Sequence, residues 1–128
     1  MSGVAWLLVC LGAGGGSAAR FATDQWVRAR WNHRGYIGRF PAGILLINLV
    51  GSFVLGFLTG AAAHGLGPLA LAFLATGVCG GFTTFSTWAY DTVRLAGGND
   101  RVLATANVAL TVAGGMLAAA AGLGLALL

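Results

Sequence analysis

The chain has 128 residues, of which 8% are charged, 58% are hydrophobic and 22 are glycines, with a formal net charge of +4. A soluble domain carries about 25% charged residues, so this chain lacks the polar groups to cover a water-facing surface, and it is too apolar to be disordered. All the charge comes from seven arginines and three aspartates, with no lysine and no glutamate. There is no long basic stripe, which argues against nucleic acid as a partner. Arginines beside apolar spans are orientation signals in a membrane, with lipid as the surrounding partner.

A spanning helix needs about 20 mainly apolar residues, and four segments meet that length. The first runs from about Val4 to Ala22. No basic residue precedes it, which disfavours a cleaved signal peptide. The second, about Pro41 to Ala63, opens on a proline suited to a first helical turn. The third, about Leu69 to Leu95, is interrupted by a polar, glycine-rich patch, and the fourth runs from about Val102 to Leu127. Residues 1–128 therefore form a single all-α membrane domain of four transmembrane helices. An even number of spans places both termini and the His64–Pro68 connector at one end. It places the connectors Thr23–Phe40 and Ala96–Arg101 at the other.

Small residues recur at four-residue intervals: Gly12 and Gly16 in the first span, and Asn48, Ser52, Gly56 and Gly60 in the second. The fourth span repeats the pattern with Gly114, Ala118, Gly122 and Ala126. Lipid supplies no hydrophobic drive between helices, so such stripes let backbones approach closely. A bundle this small and tight has little room for a pore of its own, and an oligomer is expected.

The patch from Gly77 to Trp88 (GVCGGFTTFSTW) predicts a third helix broken in mid-membrane. A break frees backbone groups, which are tolerated at that depth only where protein or a water-filled cavity satisfies them. Freed carbonyls can hold a cation. Hydroxyls and the positive edges of aromatic rings can face an anion. Asn48 places an uncharged double N–H donor in an apolar span, for a permeating ion or for a helix–helix hydrogen bond. Asn107 and Thr111 have the same two readings. Cys10 and Cys79 read as small apolar residues, with no metal-ligand spacing to His33 or His64.

What is missing narrows the function. There is no glutamate, and Asp24, Asp91 and Asp100 lie at or near span ends. A proton-coupled exporter needs an ionisable group inside the membrane, so that alternative is disfavoured. No nucleophile triad or phosphate loop is present, so the chain is not expected to be an enzyme. A permeation path lined by neutral donors fits best.

Three blocks resemble the Fluc/CrcB fluoride channels: Gly14–Arg20 (GGGSAAR), Pro41 to Gly56 with Asn48–Phe53 (NLVGSF), and Gly77–Thr87. The resemblance covers the whole chain and implies an antiparallel two-subunit channel that exports fluoride passively and lowers cytoplasmic fluoride. It implies pores along the subunit interface, with Asn48, Phe85, Ser86, Thr87 and Trp88 on the fluoride path and Arg20 in a vestibule. It implies a structural sodium ion held by the backbone carbonyls of Gly80 and Thr83. Fluoride is small and tightly hydrated, so a selective path must replace its water with close donors that bind it releasably. Two positions depart from the family pattern: Trp88 stands where a second phenylalanine is expected, and Ile44 where a threonine is common.

All seven arginines fall at one end. Arg20, Arg28, Arg30, Arg34 and Arg39 end the first span or occupy its connector, and Arg94 and Arg101 flank the third connector. Such bias sets orientation, with the arginine-rich side cytoplasmic. The chain is expected to insert one way into the cell membrane with both termini outside. A homodimer with both orientations would show little bias. The asymmetry therefore points to a heterodimer with an oppositely oriented paralogue, in which this chain could also be the non-conducting, structural subunit.

Overall fold

The computed structural model describes residues 2–128. It is all-helical among the described residues, and four helical stretches are long and apolar enough to cross a membrane. Helix α1 spans Gly3–Trp31, and α2 spans Ala42–Ala63. The third crossing is built in two parts. Helix α3 (residues 68–82) contains an α-turn at Pro68–Leu71, a π-helical stretch at Ala72–Cys79 and a last turn at Gly80–Phe82. Helix α4 resumes at Ser86–Gly97, and α5 is Arg101–Ala126.

The boundaries follow from local chemistry. The Ser2 hydroxyl accepts from the Ala5 N–H at 3.3 Å and caps α1. Pro68 sits in the first turn of α3, where its missing N–H costs nothing. Helices α2 and α4 both end in a Schellman turn. Leu66 N–H bonds to Ala61 O at 3.1 Å, and Asp100 N–H bonds to Leu95 O at 2.9 Å. The left-handed residues that these turns require are Gly65 (φ 96°) and Asn99 (φ 63°). The connectors after α2 and α4 are consequently tight, and adjacent spans run antiparallel.

The expected small-residue stripes are where helices touch. A Cβ on Gly16 would overlap the Val78 carbonyl oxygen, and one on Gly12 would lie 2.6 Å from Phe73 O, so α1 packs backbone against α3. Helix α2 packs equally closely on α5: a Cβ on Gly56 would overlap Ala119 O, and one on Gly122 would overlap Phe53 O. These two pairs make the most extensive contacts in the chain.

The ends are arranged as expected. Arg39 Nη1 lies 3.1 Å from Asp100 Oδ2, which joins the first and third connectors. Ser2 and Ala5 border the same crevice as Pro68 and Leu69, and Gly60 meets Ala126, so both termini lie beside the second connector. Helix α1 is longer than the expected span, continuing past Ala22 to Trp31. The reason is local: Arg28 Nε is 2.7 Å from Asp24 Oδ2, an i,i+4 pair that supports further helical turns.

Candidate functional site: a groove at the helix break

Helix α3 stops at Phe82, and Thr83 turns extended (φ −76°, ψ 158°) before α4 begins. The break therefore occupies Thr83, Thr84 and Phe85, at the end of the predicted patch. Gly77 and Gly81 remain helical and serve a different purpose. A Cβ on Gly77 would lie 3.0 Å from Val9 O, and one on Gly81 would overlap Ala13 O, so both let α1 approach.

The carbonyls and N–H groups freed by the break have specific partners. Cys79 O accepts from both the N–H and the hydroxyl of Thr83, each at 2.9 Å. Gly81 O accepts from the Ser17 hydroxyl at 3.3 Å, and Thr83 O accepts from Arg20 Nη1 at 3.3 Å. Asn48 bridges from α2 with both ends of its amide. Its Nδ2 donates to Thr84 O at 3.1 Å, and its Oδ1 accepts from Thr84 N–H at 3.0 Å. One of its two N–H donors is left over. Of the two sequence readings of Asn48, the interhelical hydrogen bond is thus realised, and a donor remains for a second partner.

Thr84 is the residue that sequence reasoning passed over. It is buried, and its hydroxyl accepts from Thr87 N–H at 3.3 Å, in the manner of an N-cap for α4. The same hydroxyl donates to Thr87 Oγ1 at 3.2 Å and lies 3.4 Å from Ser86 Oγ. The spacing Thr84-x-x-Thr87 at a helix start was the available signal. Three adjacent hydroxyls are thereby held in one network, with Asn48 fixing its centre.

Beside this network lies an open groove of about 420 Å³, lined by Asn48, Gly51, Ser52, Cys79, Gly80, Thr83, Thr84, Phe85, Trp88 and Thr111, with aliphatic walls from α2 and α5. Phe85 and Trp88 stand together, with ring centroids 5.2 Å apart and planes tilted by 48°. Phe85 is 76% exposed, a large value for an aromatic ring at membrane depth. Trp88 is anchored by Nε1 donating to Asn107 O at 3.4 Å. Asn107 is fully buried and donates to Thr92 Oγ1 at 2.8 Å, so it supports the groove from behind and does not face it. Thr111 borders the groove with a buried hydroxyl that has no partner among the described residues.

The predicted residues are thus largely brought together. Asn48, Thr83, Phe85, Trp88 and Gly80 share the groove, and Ser86 and Thr87 join it through Thr84. Arg20 reaches the same break through Thr83 O. Ile44 is not part of it: at 2% exposure it is packed inside the subunit, so a hydroxyl missing there is not missing from the groove. Among the described residues no group of three His, Cys or Asp side chains could hold a metal ion.

Residues 7–123 match the family described as CrcB-like protein, Camphor Resistance (CrcB). The chain belongs to the CrcB family. Among its CrcB relatives, a protein of Streptomyces avermitilis named Fluoride-specific ion channel FluC 1 is 43% identical over 118 residues, covering 91% of each chain. One of Pseudomonas putida F1, named Fluoride-specific ion channel FluC, is 43% identical over 123 residues, covering 93% of this chain and 95% of its own. One of Frankia casuarinae, named Fluoride-specific ion channel FluC 1, is 40% identical over 127 residues, covering 94% and 95%. The CrcB match and these relatives span all four membrane-crossing stretches described above.

Proposed function

We propose that this chain is a subunit of a fluoride-specific channel in the cell membrane, through which fluoride leaves the cytoplasm passively. The observation that carries the reading is the groove at the break: hydroxyls, one spare amide N–H and an exposed ring edge, with no carboxylate on its wall. These donors can replace the water around a small anion without a full charge to trap it. Full-length similarity to relatives named as fluoride-specific channels supports the same ion. The groove is open on one side, where nothing of this subunit stands against Gly80 and where the Phe85 ring is exposed except for its contact with Trp88. A second subunit of opposite orientation closing that side would turn the groove into a path.

The proposed ion path uses Asn48, Phe85, Ser86, Thr87 and Trp88. Arg20 draws anions toward the break, its guanidinium already spent in part on Thr83 O. The donor set suits a monovalent cation. Gly80 lies in the last turn of α3, where carbonyls lack intrahelical partners, and Thr83 O keeps a second lone pair beside its bond to Arg20. Sodium at the Gly80 and Thr83 carbonyls would tie two such breaks together.

Reconstitution of the purified chain in liposomes tests the reading with a fluoride electrode and chloride as the control anion. The wild-type chain, alone or combined with an oppositely oriented partner chain, should release fluoride and retain chloride. The Phe85→Ile variant should assemble normally and lose most of that flux, because it keeps apolar bulk and loses the ring edge. Equal flux from both chains overturns the assignment of Phe85. A chain that is silent alone, beside an oppositely oriented partner that conducts alone, would instead identify a structural subunit.

The one-sided arginines support insertion with both termini outside. Reporter fusions at each terminus should then be active only in the non-cytoplasmic state. Equal signals from both states would remove the case for a separate, oppositely oriented partner chain.

A further inference from the structure

We propose that the arginine-rich end of the chain is a binding site for anionic phospholipid headgroups, formed by Arg30 and Arg34 together with Trp26 and Trp31. Three of the seven arginines are neutralised by the three aspartates: Arg28 by Asp24, Arg39 by Asp100 and Arg94 by Asp91. Arg20 is turned inward to Thr83 O. Arg30, Arg34 and Arg101 have no carboxylate partner among the described residues, so they carry the excess charge of this end.

Two of these three are held in place. The Arg30 guanidinium lies 4.1 Å from the centre of the Trp26 ring, and that of Arg34 lies 5.0 Å from the centre of the Trp31 ring. Trp31 is itself fixed by Nε1 donating to Ile37 O at 3.0 Å, which folds the connector back over the helix end. The ring covers one face of each guanidinium; Arg30 Nη1 also donates to Trp26 O at 3.5 Å, and the remaining in-plane N–H groups are left for a phosphate. The exposed Trp26, Tyr36 and Ile37 surround the charges with side chains suited to the boundary between acyl chains and headgroups.

The height of this cluster is fixed by packing. Gly43, in the first turn of α2, lies against Asp24. Residues 25–31 of α1 therefore project past the start of α2 by about 10 Å at 1.5 Å per residue. A headgroup layer is about 5–8 Å deep on each side of the hydrocarbon core, so these turns are long enough to reach across it. The cluster is then within reach of lipid phosphates, and its positive sign selects anionic lipids.

The test uses the full chain in detergent, with lipid retention read by native mass spectrometry and thermal unfolding read in parallel. Probes are phosphatidylglycerol, phosphatidylcholine and inorganic phosphate. Wild-type chain should retain phosphatidylglycerol over phosphatidylcholine and be stabilised by it, and inorganic phosphate should do neither. The double variant Arg30→Gln with Arg34→Gln should weaken that retention by about thirtyfold, about fivefold for each arginine. The double variant Arg30→Lys with Arg34→Lys keeps the charge and loses the stacked fork, so its retention should fall between wild type and the glutamine variant, which secures the test if the first variant does not fold. Equal retention of both lipids by wild type, or undiminished phosphatidylglycerol retention in the glutamine variant, overturns the proposal. An equal response to inorganic phosphate overturns it as a lipid site.

Discussion

Gly122→Val should abolish the folded subunit. A Cβ at this position would overlap the Phe53 carbonyl oxygen and lie 2.9 Å from Phe57 N, so the obstacle is backbone on both sides. Valine adds two methyls with a stiff χ1. Helix α2 can yield only by parting from α5 along the face that Gly56 and Gly60 also share. Overpacking of ordinary cores costs about 1–3 kcal/mol. Against immobile backbone the cost should reach about 3 kcal/mol or more, a large part of a stability of about 5–15 kcal/mol. Loss of the monodisperse peak in detergent and of a cooperative melt is the expected result. Gly124→Ala, on the same helix with nothing within 4 Å, is the matched control and should melt no lower than wild type.

The second large effect is on conduction. Asn48→Asp keeps the acceptor for Thr84 N–H and loses the donor to Thr84 O. The second amide N–H is lost as well, and negative charge stands in the groove wall. Two like charges about 4 Å apart at an effective dielectric of about 20 repel by about 4 kcal/mol, which is roughly a thousandfold in the occupancy of an anion beside them. Fluoride efflux should fall by two to three orders of magnitude on that scale, with the variant still eluting as folded protein. Efflux within a few-fold of wild type would remove Asn48 from the ion path and leave it as a staple of the break alone.

The four spans and the break were legible because each depends on local pattern, whereas the convergence of Asn48 with the Thr and Phe residues was implied by the resemblance to the CrcB family. Apolar length predicts a span, a hydroxyl run after glycines predicts a break, and a polar amide in an apolar helix demands a partner. The stripes of small residues predicted close packing, but not which helices pair. That choice, α1 with α3 and α2 with α5, is made by carbonyls meeting glycines in three dimensions. Thr84 was missed because its neighbours Thr83, Ser86 and Thr87 carry the same chemistry, and burial alone singles it out. Ile44 stood out as a departure from the family pattern, but its side chain turns into the subunit. The extra turns of α1 were missed because hydropathy ends at the membrane edge, whereas the Asp24–Arg28 pair carries the helix on.

The glycine contacts also bear on how the molecule can move. Where carbonyl oxygens seat directly in glycine notches, a helix pair has no soft side chains to absorb sliding, so each pair behaves as one stiff slab. The two slabs meet at the break, through Asn48 on Thr84 and through Gly51 against the Thr83 methyl, and also at the arginine-rich end, where Gly43 lies against Asp24. Movement of one slab on the other is thereby felt at the joint formed by the break. The ring of Phe85 and the hydroxyls beside it stand at that joint, so the width of the groove and the tilt between slabs form one mechanical coordinate.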